Sequence, residues 1–266
     1  MTGPLARVVL FSLVIYVLAF LLTTVLHEVG HALTSYLLGG KPVLHHVFVE
    51  HEEIEGGARA IVSAAGPLVS LVQGVVLLGV LRSISAAPSA LRLAIIWLCI
   101  HGLVNFFGYL ITTPFVESAD LGKIATYLEL PMIVRWGLFG SGITAITVIG
   151  LWAREPLLAF VVDPATLVDA GARSRHMMAI GVAPWLLGGL VIGAFSWPSP
   201  HWITFVYPFF AGFFLIVSVR RSRNVIPPEL PEVLWTEVSL WPWVLLVLAV
   251  VIIFRGVLLP GIRFGS

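Results

Sequence analysis

The sequence predicts an all-α polytopic membrane protein of about six to seven transmembrane helices, with a small β-strand or hairpin element after the first helix. Three observations predict it. Hydrophobic residues fill 59% of the 266 positions and charged residues only 11%, with a mean hydropathy of +1.02. A soluble domain carries about 25% charged residues, so this chain cannot clothe a globule in water. Seven apolar stretches, at 7–38, 58–81, 91–113, 132–153, 177–197, 202–219 and 239–258, come close to or exceed the roughly 20 helical residues that cross a bilayer. Residues 42–50, Pro-Val-Leu-His-His-Val-Phe-Val-Glu, are rich in β-branched and aromatic residues and run into an acidic segment with Gly56-Gly57, the pattern of a strand or hairpin.

The elements follow in order. Met1 to Arg7 is short and no small-residue cleavage site follows the first apolar run, so that run is expected to be a retained helix rather than a signal peptide. Gly39-Gly40 followed by Lys41-Pro42 stops it. Residues 114–131 run from Pro114 to Pro131, with a short helix expected at about 120–129. Trp197, Trp202, Trp235, Trp241 and Trp243 fall near span ends, where an aromatic belt sits. Residues 1–131 carry the motifs and form the core region; 132–266 add further helices to the same membrane domain.

Charge and cysteine usage exclude some functions. A net charge of +1 offers no basic field for nucleic acid. A single cysteine, Cys99, makes no intrachain disulfide and rules out a Cys-rich zinc site. Any metal must be held by His, Asp or Glu.

His27-Glu28-Val29-Gly30-His31 lies inside the first span. Two histidines four apart on a helix share a face, a turn apart, where both reach one ion. Neutral imidazole suits zinc, and two histidines leave room for a third ligand and a water. Glu28 stands where the general base of this motif stands. Charged groups inside a span are costly and mark function. The third ligand must come from elsewhere. Asp120 and Glu117, at the membrane end of the third span, are the candidates, with Asp120 favoured; His101 is the weaker alternative, since a lone histidine on an apolar helix is more often a packed one. Asn105, inside the third span, either donates to a substrate carbonyl or binds a neighbouring helix. Gly66-Pro67 in the second span combines close helix approach with a freed backbone carbonyl. His45, His46 and His51 lie among Glu50, Glu52, Glu53 and Glu55, which reads more simply as a solvated acidic loop than as a second metal site. The edge of the strand at 43–49 is expected to accept an extended substrate as an added strand.

On these residues the chain resembles the site-2 protease family of intramembrane zinc metalloproteases, especially its compact bacterial and archaeal members. The resemblance covers roughly 10–131: His27 to His31 followed by Ala32-Leu33, the strand-like Lys41 to Glu50, Ala64-Ala65-Gly66-Pro67, then Asn105 and the Asp120 segment. It implies one zinc per chain on His27, His31 and Asp120, with Glu28 and Asn105 as catalytic residues. It also implies hydrolysis of peptide bonds in or next to transmembrane segments by a zinc-activated water. The expected partners are a membrane protein or peptide substrate and the bilayer, in a prokaryotic cell membrane. The family's Asp-Gly pair is here Asp120-Leu121-Gly122. Two other readings remain: a membrane metalloprotease of another class with a Glu as third ligand, and a membrane metal transporter or non-catalytic metal-binding scaffold.

Orientation rests on opposing signals. Nine basic residues (Arg7, Arg82, Arg92, Arg154, Arg173, Arg175, Arg220, Arg221, Arg223) fall on the N-terminal side and six (Lys41, Arg59, Lys123, Arg135, Arg255, Arg263) on the other. That bias would place the N-terminus in the cytoplasm. The family resemblance implies the reverse, with the motif nearer the cytoplasm, and is the expectation adopted.

Overall fold

A computed structural model describes residues 3–85, 87–223 and 239–265. It contains seven helical spans long and apolar enough to cross a membrane. In chain order the elements are α1 (Gly3–Leu37), β1 (Lys41–Leu44), β2 (Val49–Glu52), α2 (Gly56–Ser83), α3 (Ala90–Thr112), α4 (Asp120–Tyr127), α5 (Met132–Leu158), α6 (Ala165–Val168) and α7 (Ala170–Met177). A π-turn, Met178–Val182, carries α7 into α8 (Ala183–Ser196), and α9 (Ile203–Phe210) and α10 (Phe214–Ser222) follow. The last span is α11 (Trp241–Ile252) with its π-turned end, Ile253–Leu258, and β3 (Ile262–Arg263) comes after it. Trp235, one of the expected belt residues, lies outside the described residues.

Among the described residues α1 is the most enclosed span, and α5 and α11 are the least. Ile15, Tyr16, Leu21, Trp97 and Ile100 are fully buried at the centre. Small residues set the crossings. A Cβ on Gly30 would press on Val69 and the Ala65 carbonyl, and one on Gly102 would meet the backbone of Ser70 and Gly74. Helices in lipid gain little from hydrophobic burial and associate by such close packing. The sixth span differs from the unbroken stretch the sequence predicts. It is interrupted between Phe210 and Phe214, where Gly212 lies against Trp185 and the Trp185 indole N–H donates to the Pro208 carbonyl (3.0 Å).

Of the expected strand or hairpin after α1, the hairpin is what forms. Residues 43–49 are therefore not one strand: β1 ends at Leu44, residues 45–48 turn, and β2 begins at Val49, pairing antiparallel as Lys41↔Glu52, Val43↔Glu50 and Leu44↔Val49. β3 pairs with the other side of β1, so the order is β2-β1-β3. Six crossings separate β1 from β3, and an even number returns the chain to the face it left. The sheet therefore ties together the number of spans and their direction. The hairpin, the α1 C-terminus and β3 share one face, called here the metal face; residue 3 begins at the opposite, N-terminal face.

Pro42 decides which strand edge is free. It lacks an N–H, and its carbonyl accepts from Phe264 N (3.0 Å), so its polar edge turns to β3. Alternation then turns Val43 toward β2 and leaves the N–H and C=O of Val49 and His51 on the outer edge of β2.

Candidate metal centre

α1 carries the centre near its C-terminal end. His31 lies six residues, roughly 9 Å of helix, before Leu37. His27 Nε2, His31 Nε2 and Asp120 Oδ2 form a triangle with edges of 3.1 Å (His–His), 3.3 Å (His27–Asp120) and 3.2 Å (His31–Asp120). Ligand atoms about 2.0–2.1 Å from a tetrahedral zinc stand about 3.3 Å apart. Among the described residues this is the one group of three or more His, Cys, Asp or Glu with metal-holding geometry.

Protons point the same way. The Nδ1–H of His31 donates to the Val62 carbonyl oxygen at 2.7 Å, and a carbonyl can only accept. In neutral imidazole this leaves Nε2 with its lone pair bare. Ser70 Oγ donates to the Gly66 carbonyl at 3.3 Å, which makes its oxygen the acceptor for His27 Nδ1–H at 3.1 Å. His27 Nε2 is then bare as well. Asp120 Oδ2 lies against both bare nitrogens, 3.3 Å from His27 Nε2 and 3.2 Å from His31 Nε2. Two lone pairs and a carboxylate in mutual contact repel unless a cation sits among them.

Backbone placement explains the reach. Asp120 is the first residue of α4, just outside the spans. A side chain on Gly122 would strike the Val116 carbonyl, so glycine lets the chain turn tightly enough to aim Asp120 back at α1. On α2, a Cβ on Gly66 would overlap the Nε2 atoms of both histidines. The carbonyl that serves His31 is that of Val62, one residue before the one Pro67 frees.

The remaining sequence-predicted residues separate clearly. Glu28 is buried, 8% exposed, next to His27 on α1, and within electrostatic reach of His27, His31, Asp120 and Lys123 without joining the triangle. Glu117 is not part of the triangle; it lies 3.7 Å from Arg135 at an exposed position. His101 packs edge-on against Tyr16 and Phe20. Asn105 does not reach the ligands; it is buried in α3, and its Oδ1 has no hydrogen-bond partner. The α3 residue that reaches the ligands is Tyr109, one turn beyond Asn105. Its ring stacks on His27 at 5.4 Å with a 7° tilt, and its hydroxyl is 3.3 Å from His27 Nε2.

The hairpin histidines are not a solvated loop. His45 Nδ1 bonds the Leu259 carbonyl at 3.2 Å and His46 Nε2 the Ser196 carbonyl at 3.1 Å, so both fasten the hairpin to later segments. His51 faces the centre, edge-on to His31 at 6.3 Å. Burial, with the positive charge of Arg59 and the neighbouring His31 and Lys123, pushes its pKa down to about 3, which keeps it neutral. Lys123 Nζ is 3.7 Å from Asp120 Oδ1. The sequence singles out neither Tyr109 nor Ser70; it gives His51 only as one of the loop histidines and Lys123 only as a basic residue flanking a span. Only Tyr109 carried a signal: Asn105-x-x-x-Tyr109 puts two polar groups on one face of an apolar span.

Compared with family models, curated proteins and solved structures, the chain matches none.

Proposed function

We propose that this chain is an intramembrane zinc metalloprotease that hydrolyses peptide bonds in or next to transmembrane segments of membrane-protein substrates, in a prokaryotic cell membrane. One observation carries the reading: three metal-ligating atoms converge at tetrahedral spacing, with Glu28 buried on the same helix next to His27 and outside their triangle. The donor set suits zinc, with His27, His31 and Asp120 holding one ion. Zinc bound there would act as a Lewis acid and bring the pKa of a water near 7.

The chain's own groups do the rest. Glu28, one residue on from His27, points about 100° around the helix. From there its carboxylate accepts a proton from the attacking water and returns it to the leaving amine. The Tyr109 hydroxyl lies where it can donate to a substrate carbonyl oxygen as charge develops on it. The outer edge of β2, carrying Val49 and His51, offers main-chain groups to an unwound substrate segment.

The test uses purified protein in detergent micelles, metal analysis and a panel of end-labelled single-span peptides. His27→Ala, His31→Ala and Asp120→Ala are expected to lose zinc and cleavage. Glu28→Gln is expected to keep near-stoichiometric zinc and lose cleavage, and Glu117→Ala to keep both. Zinc loss in Glu117→Ala but not in Asp120→Ala would reassign the third ligand. Wild-type cleavage by Glu28→Gln would sink the mechanism. Zinc uptake into liposomes without any cleavage would make the chain a transporter.

A further inference from the structure

A second cleft lies at the N-terminal face, far along α2 from the metal. It holds about 300 Å³ and opens between the end of α2, the start of α3 and the end of α5. That volume is at the lower end of the roughly 300–1,000 Å³ of small-molecule sites. Arg82, Arg92 and Glu155 line it together with the apolar side chains of Leu78, Leu81 and Trp152.

The charges in it are unbalanced. Glu155 is already paired with Arg154 at 3.4 Å. Arg92 gives one N–H to the Ser85 carbonyl at 2.6 Å, while its Nε is buried with no partner. Among the described residues no carboxylate pairs with Arg82 or Arg92. Counting Arg154 and Glu155 as neutral, two positive charges remain. Each is held at a helix end, where side chains are positioned by backbone rather than by long loops. The N-terminus of α3 is closed there by Ser89, whose oxygen accepts from Arg92 N at 3.1 Å.

The surroundings are those of a membrane boundary. Three span ends meet at the cleft, an indole borders it, and the flanking surface is apolar, with Leu91 63% and Val148 57% exposed. A soluble anion would meet this wall of hydrocarbon at its side; a lipid would extend along it.

We propose that this cleft binds the phosphate of an anionic phospholipid, with Arg82 and Arg92 on the head group and an acyl chain along Leu78 toward Val148. Basic pockets between spans at a membrane boundary recognise such head groups. The proposal does not rest on the protease reading, since no residue of the metal centre takes part.

The experiment measures lipid retained by purified full-length protein in native mass spectrometry, after titration with phosphatidylglycerol, phosphatidylcholine or inorganic phosphate. One phosphatidylglycerol is expected to be retained in preference to phosphatidylcholine. Arg82→Ala and Arg92→Ala should each weaken it about fivefold, and Arg82→Lys should restore most of the loss. Zinc content and elution volume, unchanged across the variants, show that they fold. Phosphatidylglycerol brominated on its acyl chain should quench a share of the indole emission that Trp152→Phe removes. Equal retention of both lipids, retention indifferent to Arg82→Ala, or full displacement by inorganic phosphate would each overturn the proposal.

Discussion

The Nδ1–H of His31 reaches across from α1 and donates to the Val62 carbonyl oxygen on α2 at 2.7 Å. This contact turns the imidazole so that its other nitrogen faces Asp120. His27 is held in the same way by Ser70. Each ligand is thus oriented by the neighbouring span rather than by its own helix.

Ser70→Ala removes the acceptor for His27 Nδ1–H and leaves every ligand in place. Loss of such a supporting bond costs about 10- to 100-fold in metal affinity. Competition against a zinc chelator should show a weakening in that range, with full stoichiometry restored at high zinc. Unchanged affinity would mean that Ser70 does not orient the ring.

Gly66→Ala places a methyl group on the Nε2 atoms of His27 and His31. The two rings cannot both stay, because both are packed and hydrogen-bonded. The variant should remain folded by circular dichroism and bind no zinc. Ala at Gly79, where a Cβ would meet nothing within 4 Å, is the matched control and should bind normally.

Tyr109→Phe keeps the ring stacked on His27 and removes only the hydroxyl. Zinc content should stay near one per chain. The cleavage rate should fall about 10²-fold, the scale of losing one donor to developing negative charge, with KM little changed. A loss of zinc instead would assign Tyr109 to positioning Asp120.

Proline at Val49 deletes an outward-facing N–H on the edge of β2. Cleavage should fall while zinc binding holds. Val47→Pro, in the turn between the strands, should cleave nearly as wild type, and equal loss in both variants would point to general damage of the hairpin.

Much of this was legible because it repeats. The spans announce themselves by length and apolarity, and His27 and His31 by a spacing that matches one helical turn. α4 begins at Asp120, as expected, because Pro114 and Pro131 bracket the only polar stretch nearby. What escaped lacks a period. A two-residue strand such as β3 has no alternation to detect, and its partner lies across six spans. The break at Ala211–Phe213 goes with packing of Gly212 and Pro208 against Trp185 on another span, a contact that no periodicity encodes. Tyr109 looks like any aromatic on an apolar helix until the fold stacks it on His27. The choice between Asp120 and Glu117 turned on which carboxylate the Gly122 turn aims inward.

The pairing of β1 with β3 has a consequence for biosynthesis. His45 meets Leu259 across 214 positions of sequence, and contacts of such separation form late. While the ribosome is still delivering the sixth span, one edge of β1 has no strand beside it, and the hairpin next to the candidate metal centre lacks one of its three strands. The nascent protein therefore holds its own ligands well before it holds a finished platform for other chains. Neighbouring membrane proteins emerging from the same insertion machinery would meet the completed sheet only after the last span has entered the bilayer.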